Sequence, residues 1–306
     1  MNDYFVFIAA QKANFAIDWM CHKLGVSRAS YYRWTKPAGP SPMAVRHRQL
    51  ADHVKRVFTA AKGRAGRDQI VHLLAAEGIK IATATVGSIM RELGLRAVRM
   101  RAWKKTTQSD PDARTAHIVN HMLDADGRRD FSSTAPGTRL VGDITYLRTG
   151  SGWLYLATVI DLHTRMVIGW SMASHMRTSL VIDALIMARD HGHLDPAAGI
   201  VIFHSDRGSQ YTSSDFQDWC AANKITQSMG KVGTCWDNAV TECFFSHMKT
   251  EMYYQQAFAN HLTARTAVME YIESWYNRRR PHAYNGGLSP AAALTAHQNA
   301  YQSAAA

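Results

Sequence analysis

Apolar positions along this chain change their period once, near residue 110. Before that point they recur at helical spacing among basic residues. Beyond it come alternating, β-branched and aromatic stretches of the kind that builds a sheet. Residues 14–35 predict a helix ending near Cys21 to Leu24, a turn at Gly25, and a second helix capped by Ser27 that carries Ser30, Tyr31 and Arg33. That is a helix-turn-helix pattern, with Ser30 and Arg33 as candidate DNA contacts, although a plain helical hairpin explains it equally well. The prolines of KPAGPSP, residues 36–42, then break the helix. Three further helices follow at 46–58, at 68–77 after the basic turn KGRAGR and stopped by Gly78, and from a Thr83 or Thr85 cap to Leu93 before Gly94. The tail GLRAVRMRAWKK interleaves Trp103 with basic residues, which suits a segment lying along phosphates. A polar connection over 104–137 holds one helical patch at 113–123.

From Arg139 three strands are predicted at 140–146, 153–161 and 166–172, joined by turns short enough for an antiparallel meander. A helix at 178–191, Gly199, a strand at 200–204 and helices at 213–223, 238–253 and 262–278 complete the order. This predicts an α/β, ribonuclease-H-like catalytic core preceded by all-α, helix-turn-helix-like units. The division reads as 1–40 and 41–103 for the two helical pieces, 104–137 for a linker, 138–297 for the core with its C-terminal helices, and 298–306 for a tail.

Composition narrows the partners. Within 306 residues, 46% of them hydrophobic, 35 Lys and Arg stand against 24 Asp and Glu, a net charge of +11 that favours nucleic acid over a merely solvated basic surface. Cys21, Cys220, Cys235 and Cys243 make no zinc or redox spacing, so a reduced intracellular protein is expected. His117 and His121, four apart on the expected helical patch, read as surface residues. No apolar run is long enough for a membrane span and no secretory leader is recognised, which points to the cytoplasm.

The candidate chemistry lies in three acids. Asp143 sits inside the first strand (VGDITYL), Asp206 follows the fourth (HSDRGSQY), and Glu242 lies one turn into a helix (DNAVTECFFSHMKTE). Singly, each has an ordinary structural explanation; together, the order of elements brings them to one place. A carboxylate amid a strand's apolar run needs compensation, and carboxylates gathered together repel, so Mg²⁺ or Mn²⁺ is the expected cofactor. Two such ions about 3.5 to 4 Å apart serve phosphoryl transfer. Arg207 and Gln210 either hold the target phosphate or nucleophile strand beside Asp206, with Gly208 permitting the turn, or serve plain turn chemistry, and Arg278, Arg279 and Arg280 end a helix where they either bind phosphate or only complement the helix C-terminus. The loop GKVGTCWDN is expected to close over DNA, its Trp236 packing on the core in preference to wedging against a base, and Asp237 or Asn238 to cap the Glu242 helix.

Thirty-five residues separate Asp206 from Glu242, and Lys249 follows Glu242 by seven. That pattern resembles the D-D-E motif of retroviral integrases and related transposases. The strings GDITYLRT, GWLYLATVIDLHTRMVIGW, HSDRGSQYTS, CWDNAVTECFFSHMKTE and YNRRRPH…LSP are similar to those of the OrfB transposases of the IS-three group of bacterial insertion sequences, from about Arg46 to Ala293. Gly142 stands where many relatives carry a polar residue, and Cys243 where Ser is usual. The resemblance implies an integrase catalytic core in which Asp143, Asp206 and Glu242 are the catalytic metal ligands and Lys249 a DNA contact. It implies an enzyme that cleaves insertion-sequence ends and transfers the 3′ OH to target DNA. Terminal repeats and target DNA are then the partners, and a homo-oligomer is expected in the synaptic complex. The N-terminal Met and the lack of an upstream coiled coil suggest the downstream half alone, with an upstream reading-frame product as a candidate partner. A hydrolytic nuclease or a DNA-binding protein without chemistry are the competing classes.

Overall fold

In the computed structural model β1 (Arg139–Thr149), β2 (Gly152–Asp161) and β3 (Val167–Ala173) form the expected antiparallel meander. Two parallel strands, β4 (Val201–Ser205) and β5 (Ile225–Met229), extend the sheet on the other side of β1, giving the order β3-β2-β1-β4-β5. This is a ribonuclease-H-like sheet. The structure describes residues 2–36, 39–98, 118–194, 200–230 and 238–305. Trp103, His117, Gly199 and the 231–237 loop with Cys235, Trp236 and Asp237 lie outside the described residues.

The chain gathers into two units, Met1–Val54 and Lys55–Ala306. The first holds α1 (Asn2–Gln11), α2 (Ile17–Lys23) and α3 (Arg28–Thr35) around Phe5, Ile8, Met20, Cys21 and Tyr31. Gly25 turns the chain between α2 and α3 at φ +65°, a conformation that glycine adopts without strain. Helix α1 was not anticipated, because NDYFVFIAAQ is apolar almost throughout and shows no helical period. Ser27 occupies the N-cap position of α3, but its side chain makes no capping hydrogen bond.

α4 (Pro42–Ala60) continues into the second unit, followed by α5 (Arg67–Ala76) and α6 (Thr83–Glu92). Neither threonine caps α6, whose N-cap position is Ala82. The anticipated helical patch is corrected over 118–123, which is extended and turning, with Met122 buried and Leu123 bridged to Arg129. His121 is therefore not on a helix.

The main core lies between one face of the sheet and two helices, α7 (Thr178–Asp190) and α9 (Ser214–Ala222). Leu140, Ala157, Val159, Ile168, Val201 and Phe203 meet Leu180, Ala184, Leu185 and Phe216 there. Gly169 of β3 lets α7 come close, since an added Cβ would stand 2.1 Å from the Ala184 carbonyl oxygen. A four-residue turn, α8 (Ser209–Thr212), precedes α9, and Ser213 separates them by accepting from the Phe216 N–H. The helix expected at 213–223 is α9, and α8 is an added turn before it. Strand β5 was missed because ITQSM is short and half polar.

α10 (Ala239–Glu251) packs against β1. α11 (His261–Met269) runs on into a π-helical stretch, Glu270–Tyr276, and α12 (Pro290–Ala305) runs from the expected core into the expected 298–306 tail. Buried Asn277 ties this end to β3, accepting from the Val167 N–H at 3.0 Å and donating to its carbonyl at 2.9 Å. Among the described residues no helix is long and apolar enough to cross a membrane.

Candidate active site

β4 pairs with β1 only as far as Val141, opposite His204. Two positions further along each strand stand Asp143 and Asp206, so the parallel register brings the two acids level where the strands part. Asp143 Oδ1 accepts from the Ile144 N–H at 2.7 Å, and Asp206 Oδ1 from the Gly208 N–H at 3.0 Å. A Cβ on Gly208 would lie 3.1 Å from that same Asp206 oxygen, which is why glycine suits this turn. Glu242 comes from the first turn of α10. Asn238 fastens the start of that helix: it sits at the N-cap position, but its side chain donates to the Gly142 carbonyl at 3.1 Å rather than capping the helix.

Gly142 itself has a packing reason. A Cβ there would fall 2.2 Å from the Phe203 ring, so the glycine and Phe203 share one volume.

The charges of the three acids meet at Asp143. Its proton affinity is raised well above the ordinary carboxylate range, first by burial and then by the negative charges of Asp206 and Glu242, with the Ile144 N–H and Lys249 opposing. Asp143 keeps part of its surface open, yet the protein packed around its carboxyl governs its titration. Burial likewise raises Asp206 and Glu242. Tyr211, buried beside the pair, is held neutral by burial and by the charges of both aspartates. Asp161 shows the contrast. It is also buried, but the N–H groups of Gly137 and Thr164 and the Thr164 hydroxyl satisfy it, which marks a structural carboxylate.

Could this set hold a divalent ion? Among the described residues no three His, Cys, Asp or Glu side chains are gathered tightly enough to share one as placed. The donor chemistry nonetheless fits: the charges of two hard carboxylates raise the proton affinity of a third, Asp143, and two buried polar atoms around them, Asn238 Oδ1 and Thr158 Oγ1, lack partners. Thr158 is the cross-strand partner of Asp143.

The expected DNA contacts separate. Arg207 donates to the Gly230 carbonyl and Gln210 to the Met176 carbonyl, each at 2.9 Å, so both help shape the loops around Asp206. Lys249 is half-buried; burial lowers its proton affinity and the Asp143 charge raises it. Arg278 and Arg279 are exposed, and Arg279 reaches the Ala60 carbonyl at 3.4 Å. Arg280 departs from expectation. It is buried against Glu251, donating from Nη2 at 2.9 Å and from Nε at 3.1 Å, and is not available to a phosphate. Ser30, half-buried, and exposed Arg33 belong to α3 of the other unit. Tyr211, Asn238 and Glu251 were not singled out as site residues from sequence. Tyr211 and Asn238 lie inside the strings that carry the chemistry; nothing in the sequence signals the Glu251 pairing.

Two Integrase core domain models match residues 133–235 and 223–290, and an HTH-like domain model matches 46–103. The chain is 38% identical over 290 residues to the transposase InsF for insertion sequence IS3A of Escherichia coli strain K12, covering 94% of this chain and 96% of that one. It is 34% identical over 274 residues to an uncharacterized 31 kDa protein of insertion element IS600 of Shigella sonnei, covering 89% and 96%. Among solved structures, a simian T-cell lymphotropic virus intasome aligns over 78% of this chain and 72% of its own at 14% identity and TM-score 0.42. The HTLV-2 integrase catalytic core domain in complex with magnesium aligns over 51% and 95% at 16% identity and TM-score 0.38.

Proposed function

The chain belongs to the insertion-sequence transposases related to InsF of IS3, enzymes with an integrase core, and from that premise we propose that it cleaves insertion-sequence ends and transfers the freed 3′ OH to target DNA through Asp143, Asp206 and Glu242. The observation that carries this reading is the meeting of three carboxylate charges at Asp143, where β1 and β4 part and α10 begins.

Asp143, Asp206 and Glu242 would hold divalent magnesium or manganese, two ions in the active complex, which would supply Lewis acidity at the attacking and leaving oxygens. The chain's own part is to hold that chemistry in place. Asp143 and Asp206 are fixed by the Ile144 and Gly208 N–H groups, and Asn238 holds the Glu242 helix to the Asp143 strand. Lys249, whose charge is felt at Asp143, offers a cation to the DNA phosphates, with Arg207, Arg278 and Arg279 as further candidates and Gln210 as a neutral hydrogen-bond donor beside them. Ser30 and Arg33, on α3, are further candidates for DNA contact. Holding two element ends requires more than one copy, so a homo-oligomer assembles on the DNA, at the nucleoid in the cytoplasm. An upstream reading-frame product is a candidate partner.

A strand-transfer assay with labelled element ends and Mg²⁺ tests this: joined product supports the transposase, cut product alone a nuclease, and retention alone a binding protein.

Asp143 also predicts a stability signature. A carboxylate whose folded proton affinity is raised stabilises the fold most below its unfolded value near 3.9, and that stability is lost as pH rises through the folded value. Without divalent ions, Asp143→Asn is therefore expected to melt higher than the wild type at neutral pH, with the gap closing toward acid. Adding Mg²⁺ raises the wild-type Tm and leaves the variant's unmoved. Calorimetry across pH checks both, and equal melting of the two proteins at pH 7 would contradict the crowding of charge at Asp143.

A further inference from the structure

Beyond the acids, β1 runs on without β4, and its last residues form a hairpin with β2 whose two-residue turn is Gly150-Ser151. A free hairpin tip is ordinarily mobile; this one is fastened. The Tyr253 hydroxyl accepts from the Arg148 N–H at 2.7 Å and donates to the Arg148 carbonyl at 3.1 Å, filling the strand edge that β4 leaves open. The Gly150 N–H donates to the Phe258 carbonyl at 2.8 Å, and a Cβ on Gly150 would meet the Ala259 oxygen at 2.3 Å. Strand edge and turn are thus both held from the 253–259 segment.

What this fastened hairpin presents is polar–aromatic and exposed. Tyr146 and Trp153, 42% and 46% exposed, meet edge to face at 5.2 Å. The Arg148 guanidinium lies 5.9 Å from the Trp153 ring, and the Lys249 ammonium 5.4 Å from the Tyr146 ring. Burial of the pair against each other is incomplete, so half of each ring remains to be covered by something else. Alternation along β1 points Tyr146 and Asp143 to opposite faces, so the patch flanks the acids rather than joining them; Lys249 is the side chain that answers to both.

We propose that Tyr146, Arg148 and Trp153, with Lys249, form a DNA platform that takes the strand bordering the reacting phosphate, an unpaired base lying on the aromatic pair and phosphates on the two cations. Exposed rings flanked by cations suit single-stranded nucleic acid, because every base offers a π face and every nucleotide a negative charge. The hairpin's rigidity lowers the ordering cost of such contact. This inference rests on the transposase reading, and the tests separate the two.

The full chain is titrated with fluorescein-labelled DNA duplexes that end either blunt or with a single-stranded thymidine tail, and anisotropy is followed over a range of KCl. Trp153→Ala is expected to weaken binding of the tailed duplex about tenfold and leave the blunt duplex within about twofold, while Trp153→Phe keeps most of the affinity. Arg148→Gln should lower the salt slope by about one phosphate. An unchanged Tm confirms that these exposed substitutions leave the fold intact. The platform is overturned if Trp153→Ala and Tyr146→Ala both bind the tailed duplex as tightly as the wild type, or lose tailed and blunt duplexes alike. If that happens while Asp143→Asn still fails to join ends, the enzyme reading stands without the platform. A wild-type protein that joins no element end removes the enzyme reading instead.

Discussion

Asp143→Asn is expected to lower the rate of strand transfer by roughly a thousandfold or more, with DNA retention unchanged. The substitution is close to isosteric and Asn Oδ1 can still accept from the Ile144 N–H, so backbone and packing stay as they are. It removes only the negative charge at the point where those of Asp206 and Glu242 converge. A residue needed for folding would take binding down with joining; a residue needed for chemistry leaves binding behind. Single-turnover joining of labelled ends, with anisotropy on the same DNA, reads both quantities. Joining within tenfold of wild type would remove Asp143 from the catalytic group.

The second large effect concerns stability. Arg280 and Glu251 form an ion pair whose side chains are 8% and 6% exposed, and Glu251 also accepts from the Tyr271 hydroxyl at 3.1 Å and the Trp275 indole N–H at 2.9 Å. Arg280→Met keeps the aliphatic bulk and leaves the Glu251 carboxylate buried without its cation. That change is expected to cost about 3 to 5 kcal/mol in urea unfolding. The double change Arg280→Met with Glu251→Gln should recover a large part of the loss, because it removes the orphaned charge while keeping an acceptor for the two hydroxyl and indole donors. Since Glu251 ends the helix whose first turn carries Glu242, the pair also fixes the far end of α10. A loss below 1 kcal/mol would show that water reaches Glu251 and screens it.

The sheet was legible because its strands carry their signal locally. RLVGDITYLRT and GWLYLATVID are rich in β-branched, aromatic and aliphatic residues and are joined by a two-residue turn, so the meander follows from the chain alone. Helices with a clear apolar stripe were placed within a few residues, such as Arg67–Ala76 and Thr178–Asp190. The failures have physical causes. Apolar NDYFVFIAAQ lacks a period, and ITQSM becomes a strand only because β4 offers it a parallel edge. The acids were legible as a set since register and helix starts are local properties that add up to a place. Arg280 was not: three consecutive arginines look alike in sequence, and only packing decides that one turns inward to Glu251 while its neighbours face solvent. Asn238 was placed correctly at a helix start and given the wrong bond, because the Gly142 carbonyl it chooses comes from a strand 96 residues away.

The most direct test is the binding of Mn²⁺ to the full chain, followed by electron paramagnetic resonance of the free ion. The wild type should take up Mn²⁺ saturably, and Asp143→Asn, Asp206→Asn and Glu242→Gln should each weaken that uptake at least tenfold. Uptake by all three variants equal to that of the wild type would contradict a shared cation site among these carboxylates.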